Sequence, residues 1–276
     1  LLIVCAPLLA CVVVGTQLPN RLAAQTWLIP NVDGHWLAFW GLVLTFLHVN
    51  IGFARSHFNA NVFKRHRIRF LLVPVLGALA LSLSRPVFIF AGFFALFWDE
   101  LHSAFQTFGF GRLYGARMGN DPQVGRTLDR WFCVIIEWIP HVLLITFMTE
   151  GELLRMDVDN HYPQYLVGVS AAVAKYIRIP IVAGSLGFVA FYLYRYVGYV
   201  RDGYRISPAK VALYLSTFLA ALYAVSCQTL VGIAILTNLY HAVQYIAIVW
   251  ITERKNLQNR LSLQSLKWGA LVTFGV

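Results

Sequence analysis

Four histidines lie inside long apolar stretches of the sequence: His48, His102, His141 and His241. A carboxylate accompanies two of them at helical spacing: Asp99 stands before His102, and Glu137 before His141. Residues three or four apart share one face of an α-helix, so each pair presents an imidazole and a carboxylate to the same neighbour. Carboxylate-bridged metal sites in helix bundles use this spacing, which therefore predicts a metal site or a proton site.

The available ligand atoms limit which metal would bind. Imidazole and carboxylate groups suit iron, manganese, zinc or copper. The four cysteines are dispersed through apolar segments without a CxxC spacing, which argues against an iron–sulfur cluster or a blue-copper site. We expect iron, mononuclear or dinuclear, with haem held by two axial histidines as a competing interpretation. The expected ligands are His48, His102, His141, His241, Asp99 and Glu137.

These groups need a scaffold, and the composition indicates a membrane protein. Of the 276 residues, 59% are hydrophobic and 12% are charged, whereas roughly 25% of the residues of a soluble domain are charged. A segment of roughly 20 apolar residues crosses a hydrocarbon core of about 30 Å. About eight such segments predict one all-α domain over residues 1–276, a polytopic transmembrane helix bundle. The predicted spans are residues 1–15, 36–54, 70–83, 86–110, 131–149, the second half of 163–200, 209–226 and 230–252.

Basic residues orient the predicted bundle. Five of the fifteen residues in 55–69 are Arg or Lys, and residues 112–130 form a second basic loop. Because cytoplasmic loops carry an excess of Lys and Arg, we expect both loops on the cytoplasmic side of a bacterial cytoplasmic membrane. The same pattern accounts for the formal net charge of +10. We therefore expect membrane lipids as partners and no nucleic acid.

This orientation places the four histidines in one slab of the membrane. Counted from the cytoplasmic ends of their helices, the depths are about 10 Å for His48, about 15 Å for His102, about 16 Å for His141 and about 18 Å for His241. A shared depth is necessary for four helices to contribute ligands to one site. We expect these four helices to adjoin.

The face of each helix selects further residues. Two polar stripes result: Asp99, His102 and Gln106 on one helix, and Asn238, His241 and Gln244 on another. The candidates for catalytic roles are Asp99, Glu137, Gln106 and Gln244, with the two amides as outer hydrogen-bond donors. Glu100 lies about 100° away from the Asp99 face and is not expected in the site. His57 lies about 180° from His48 on a continuous helix, so we expect it at the membrane interface.

Two local signals predict helix boundaries. Asp121-Pro122 has the form of an N-cap followed by proline in the first turn, which predicts a short helix leading into the fifth span. Residues 163–200 would be about 57 Å long as one helix, which is longer than the membrane is thick. We therefore expect a break at Ile179-Pro180, preceded by an interfacial or half-spanning helix.

Two segments carry a resemblance to a known family. They are His102 to Gly109, where a histidine is followed shortly by Phe-Gly, and Leu239-Tyr240-His241-Ala242-Val243-Gln244-Tyr245. These pieces resemble the bacterial membrane β-carotene dioxygenases that make retinal. The chain lacks that family's Pro-His-Gly opening and its Ser-x-x-His-Phe-Gly run, as well as the HxxxH and HxxHH boxes of membrane desaturases and hydroxylases. The resemblance implies a membrane oxygenase with histidine-bound metal and no particular substrate.

The residues and the resemblance together favour a membrane-embedded, metal-dependent oxidoreductase or oxygenase. Non-haem iron would activate dioxygen on a lipophilic small-molecule substrate that enters from the bilayer, and an electron-donor protein is a further candidate partner. A proton-coupled transporter or channel would use the same polar groups, and a non-catalytic membrane subunit would use them to bind its helices together. The sequence shows no internal repeat of the spans, a feature of most transporter folds, so transport is the second choice.

Overall fold

The computed structural model describes residues 2–17, 26–27, 32–33, 35–147, 164–225 and 230–260. Within these ranges the chain is helical apart from one short antiparallel pair, in which β1 (Thr26–Trp27) pairs with β2 (Val32–Asp33). The helices are α1 (Leu2–Gln17), α2 (His35–Ser56), α3 (Ala60–Leu83), α4 (Arg85–Arg117), α5 (Arg126–Phe147), α6 (Gln164–Arg201), α7 (Pro208–Val225) and α8 (Leu230–Arg260). The prediction of an all-α chain is confirmed.

Two of the described helices are long and apolar enough to cross a membrane: α3 over Ala60–Leu83 and α6 over Tyr176–Arg201. Only 0% and 6% of the apolar windows of these two helices are buried inside the protein. Their apolar side chains therefore face outward, as they do in a helix that contacts lipid. The bundle of about eight spans stays a prediction.

Short polar side chains set the ends of α3 and α4. Asn59 caps α3 by accepting a hydrogen bond from the Val62 amide at 3.3 Å, and Ser84 caps α4 by accepting from the Val87 amide at 3.5 Å. Pro86 follows in the first turn of α4, where the missing amide hydrogen costs nothing. With Asn59 as its cap, α3 begins ahead of the predicted start at Phe70, so the basic residues of this region lie on a helix.

The predicted helix start at Asp121-Pro122 is wrong. Residues 121–125 form turns, and α5 begins at Arg126. The Asp121 carboxylate accepts a hydrogen bond from the Gln123 amide at 2.8 Å, and Gly125 has a φ of 67°. An aspartate that caps its own turn competes with helix formation, and a positive φ at Gly125 keeps the chain out of the helix until the next residue.

The predicted break at Ile179-Pro180 is also wrong. Helix α6 is continuous through Pro180 and is 38 residues long in total, which corresponds to about 57 Å. Proline removes one helical hydrogen bond, but neighbouring bonds can carry the helix past it, as they often do in membrane helices. No separate half-spanning helix precedes this position within the described residues 164–179.

Helices α8 and α5 each pack against several other helices. Helix α8 packs along α1 and α2, whereas α5 packs against α4, α6 and α7. Helices α4 and α7 approach closely at Gly111, where any side chain would collide with the Tyr214 ring. A buried core forms there from Ile3, Ala104, Phe110, Cys133, Ile136, Leu213 and Tyr214. This core fixes the part of α4 that carries the predicted site.

Candidate metal centre

Three of the four predicted histidines come together between α2, α4 and α8. Each of His48, His102 and His241 offers a ring nitrogen, and these nitrogens lie within 4.8 Å of one another. The ring of His48 lies 4.7 Å from that of His241 and 6.1 Å from that of His102, measured between centroids, and the rings of His102 and His241 are 5.0 Å apart. Three helices distant in sequence therefore aim imidazoles at one point.

Three of the six imidazole nitrogens of this cluster lack a hydrogen-bond partner among the described residues. Both ring nitrogens of His241 and Nδ1 of His48 are buried without one, and His241 is only 3% exposed. An unsatisfied buried polar atom costs about 1–3 kcal/mol, and such atoms are rare in native proteins. A cation bound between the rings would satisfy the nitrogens and remove this cost.

The cluster fits a transition-metal ion in donor type and approximate size. Two ligand atoms each about 2.1 Å from an ion lie roughly 3.4 Å apart when the geometry is tetrahedral. The histidine nitrogens are spread over up to 4.8 Å, so small side-chain rotations would bring them into the coordination sphere. The absence of a thiolate among the three ligands favours iron, zinc, copper or manganese over sulfur-rich centres.

Amide side chains hold the backbone beneath the cluster. Gln106 on α4 donates from Nε2 to the carbonyl oxygen of His241 at 3.1 Å and to Gln244 Oε1 at 3.2 Å. Gln244, itself fully buried, donates to the carbonyl oxygen of Ile3 on α1 at 2.9 Å. The two amides predicted as catalytic candidates therefore fix α8 against α4 and α1. These hydrogen bonds join the two amides to each other and to backbone carbonyl oxygens, and none of them goes to an imidazole ring.

The fourth predicted histidine lies apart from the cluster. His141 on α5 places Nδ1 3.4 Å from Glu100 Oε2 on α4. The prediction that four histidines converge is therefore wrong for His141. Equal depth brought all four into one slab, but α5 packs on a different side of α4 from α2 and α8.

Glu137, one turn before His141, is buried between α4, α5 and α8. It is 1% exposed, and its Oε2 accepts a hydrogen bond from the Tyr240 hydroxyl at 3.3 Å. That hydroxyl also lies 3.2 Å from the hydroxyl of Ser103. Glu137 Oε1 has no hydrogen-bond partner among the described residues. A carboxylate predicted as a ligand is thus deep inside the protein with half of its accepting capacity unused.

A small cavity lies beside His241. It is lined by Asp99, Glu100, Ser103, Thr237, Asn238 and His241 and has room for about one water molecule. Asp99, predicted as a ligand or catalytic residue, is exposed and lies on the wall of this cavity, outside the histidine cluster. His241 therefore belongs to the cluster and also lines a water-sized space.

Glu100 lies outside the histidine cluster, as its position about 100° from the Asp99 face predicts. The structure places it beside His141 of α5 and on the cavity wall, because α4 has neighbours on more than one side.

His57 lies outside the cluster, as expected. Its Nδ1 is 2.9 Å from the Ser56 hydroxyl, and its ring packs against Phe53, Phe63 and Phe70 at centroid distances of 4.5, 5.5 and 5.3 Å. The side chain is only half-buried. Its partners are those of an ordinary aromatic contact at the end of a helix.

A second buried polar cluster was not predicted from the sequence. Asp129 on α5 is completely buried and accepts hydrogen bonds from Arg112 at 2.6 Å, from Lys210 at 2.7 Å and from Tyr192 at 3.0 Å. Tyr196 donates to the same carboxylate. Burial by itself lowers the pKa of Arg112, but the hydrogen bond and negative charge of Asp129 outweigh it and raise that pKa above its usual value. This group, the Asp129 cluster, joins α4, α5, α6 and α7.

Comparison with family models, with curated proteins and with solved structures found no match for this chain. The resemblance to membrane carotene dioxygenases is therefore neither supported nor opposed by a relative. The histidine cluster and the residues around it are therefore the basis of the proposed function.

Proposed function

We propose that this chain is a membrane-embedded metalloprotein whose metal is held by His48, His102 and His241. Non-haem iron is the ion that best suits an oxidoreductase or oxygenase acting on a lipophilic substrate. The observation that supports the proposal is that three helices bring imidazoles to one point, and that three of the imidazole nitrogens are buried without a hydrogen-bond partner among the described residues. A purely structural histidine would be expected to hydrogen-bond a neighbouring helix.

The ligand set supports an ion with an open coordination position. Three protein ligands leave room for a further molecule, which is the arrangement of catalytic sites, whereas structural sites are closed by four ligands. Iron bound in this way would supply dioxygen activation. The side chains of His48, His102 and His241 would hold the ion, and the Gln106–Gln244 pair would fix the backbone of His241.

The surroundings support a substrate that comes from the membrane. Helix α3 buries none of the residues of its apolar window, and α4 exposes Phe94 two turns before His102 and Trp98 one turn before it. The Trp98 ring stacks on that of His102 at a centroid distance of 6.4 Å. An apolar molecule in the lipid phase could therefore reach the histidine cluster along α4 without crossing water.

Metal analysis of the detergent-purified protein tests the proposal. We expect at least one iron ion per chain in the wild type, and loss of the cluster's ion in His102→Ala and His241→Ala variants that still elute as folded protein. His66→Ala is the matched control, since His66 lies on α3, outside the cluster, with its ring 6.1 Å from that of Phe70. Folded wild type without stoichiometric metal would overturn the proposal.

The oxygenase assignment needs a separate measurement. Membrane lipids incubated with the iron-loaded protein under isotopically labelled dioxygen should acquire labelled oxygen, and the His241→Ala variant should not support this. If no lipophilic product forms while the ion is retained, the chain is a metalloprotein of another kind. Uptake of protons or solutes by liposomes containing the protein would then favour the transporter.

A further inference from the structure

The first turns of α3 carry a dense positive charge. Four cations lie within residues 64–69, and all four are exposed: Lys64, Arg65, Arg67 and Arg69. We propose that this segment of α3, the basic segment, is a binding surface for the headgroups of anionic phospholipids. This inference rests on the proposed location in a membrane and is independent of the metal.

The charge of the basic segment is not compensated by the part of the protein that the structure describes. None of its four cations forms an ion pair with a described residue. The carboxylate of Glu253 on α8 contacts the start of α3, but it is only 8% exposed and accepts hydrogen bonds from Asn59 at 3.4 Å and from Asn256 at 3.2 Å. A cluster of cations without counter-charges attracts a surface of opposite charge.

Packing holds the basic segment in place at the end of α2. The ring of His57 lies 5.5 Å from that of Phe63 and 5.3 Å from that of Phe70, measured between centroids. Asn59 caps the same end of α3. The cations therefore extend from an ordered helix, and the backbone loses little conformational entropy when a headgroup binds.

The apolar part of α3 is short, which brings the cations to the depth of the headgroups. Residues 70–83 follow Arg69 and extend about 21 Å as a helix, whereas the hydrocarbon core is about 30 Å thick. A short apolar segment draws its flanking cations toward the edge of this core, where their long side chains extend to the lipid phosphates. No residue of α3 is buried inside the protein, so lipid can reach the whole helix.

The types of cation favour an anionic lipid. Three of the four are arginines, and a guanidinium group donates paired hydrogen bonds to phosphate oxygens. In a zwitterionic lipid such as phosphatidylcholine, the positive choline group offsets the charge of the phosphate. Phosphatidylglycerol has no such group, so we expect it to bind the basic segment more tightly at low ionic strength.

Spin-labelled lipids measure this preference with the full chain reconstituted into phosphatidylcholine vesicles. The electron paramagnetic resonance spectrum separates lipid that is immobilised on the protein from freely moving lipid. One cation near an anionic surface contributes a factor of about five in affinity, so the wild type should bind labelled phosphatidylglycerol at least about fivefold more tightly than labelled phosphatidylcholine. The two lipids should bind about equally to the variant that combines Lys64→Gln, Arg65→Gln, Arg67→Gln and Arg69→Gln.

A matched control separates this surface from general electrostatic attraction. It loses four other exposed cations, through Arg117→Gln, Arg126→Gln, Arg201→Gln and Arg205→Gln. This control has the same net charge as the α3 variant and should keep the wild-type preference. Equal loss of the preference in both variants would overturn the inference. If the α3 variant does not fold, Arg67→Gln combined with Arg69→Gln replaces it, and an unchanged preference in that variant would also overturn the inference.

The same preparations distinguish failure of this inference from failure of the proposed function. A wild type that binds both lipids equally, with its metal content intact, overturns only the anionic-lipid surface. A wild type that immobilises neither lipid is not embedded in the membrane, and this result overturns both proposals.

Discussion

Helix α4 contributes side chains to two buried polar clusters, which differ in how their buried polar atoms are satisfied. At Arg112 it contributes to the Asp129 cluster, where the carboxylate receives hydrogen bonds from Arg112, Lys210 and two tyrosines. At His102, ten residues earlier and therefore about 15 Å away along the helix, it contributes to a cluster in which three imidazole nitrogens are buried without a partner among the described residues. The central carboxylate of the first cluster is satisfied by protein donors, whereas the buried nitrogens of His241 in the second cluster are not.

This difference distinguishes a polar cluster that holds helices together from one that binds a ligand. Both clusters are buried and both combine side chains from several helices. A carboxylate surrounded by donors holds helices together, because the removal of any partner leaves a buried charge exposed to a low dielectric. Buried imidazole nitrogens without hydrogen-bond partners do not stabilise the fold until a ligand binds them. The predictions below test this contrast, from the largest expected effect to the smallest.

Removal of the central carboxylate should cause the largest loss of stability. Asp129→Ala leaves Arg112 and Lys210 buried with no counter-charge, and breaking a buried ion pair in this way costs about 3–5 kcal/mol. Thermal unfolding in detergent should shift to a much lower temperature, while folded protein keeps its ratio of metal to chain. Asp202→Ala is the control for loss of an exposed aspartate. Equal melting of both variants would show that the Asp129 cluster is not a structural clamp.

Removal of a histidine ligand should weaken metal binding but should hardly change the stability of the metal-free protein. His241→Ala deletes two buried nitrogens that have no partner, so the metal-free variant should melt within a few degrees of the metal-free wild type. Metal at 100 times its dissociation constant stabilises a folded protein by about 2.7 kcal/mol, and this gain should vanish in the variant. His66→Ala should keep the gain. A metal-induced shift that survives in His241→Ala would contradict the assignment of the cluster.

Loss of the amide that fixes α8 should weaken both properties moderately. Gln106→Ala removes the hydrogen bonds to the His241 carbonyl oxygen and to Gln244, at a cost of about 1–3 kcal/mol. Because partners that orient metal ligands affect binding, metal affinity should fall by about tenfold. Competition with a chelator of known affinity measures this change. Gln123→Ala, in an exposed turn, should behave as wild type, and an unchanged affinity in Gln106→Ala would show that the amide does not position His241.

The smallest effect is expected for the replacement of His57, which follows the cluster residue His48 in the sequence. His57→Gln loses a bond to Ser56 and aromatic packing at a half-buried site, so stability should change by less than about 1 kcal/mol. The number of ions bound per chain should stay that of the wild type. Loss of an ion in this variant would place His57 in the metal site and would contradict the structure.

Some of the site could be predicted because helical geometry and membrane depth constrain it. His48, His102 and His241 were placed in one slab by counting from the basic loops, and the structure brings them together. Depth carries no information on which helices are neighbours, so His141 was assigned to the same cluster.

Other errors came from local signals that the surroundings overrule. Asp121-Pro122 has the pattern of a helix start but forms a turn, and Pro180 has the pattern of a break but lies inside α6. Asp129 gave no signal, because a carboxylate among basic residues looks like part of a charged loop. Its burial depends on Lys210 and Tyr196, which are 81 and 67 residues away in the chain.

The sequence alone determined the helical class, the apolar character of the chain and the donor types available to a metal, because these follow from composition and from the periodicity of the helix. The tertiary structure decided which donors meet. It separated the six predicted ligands: the histidine cluster holds three of them, His141 lies beside Glu100, Glu137 lies beside Tyr240, and Asp99 is exposed. Only packing sets the rotation and the neighbours of each helix, and contacts between residues far apart in the chain decide that packing.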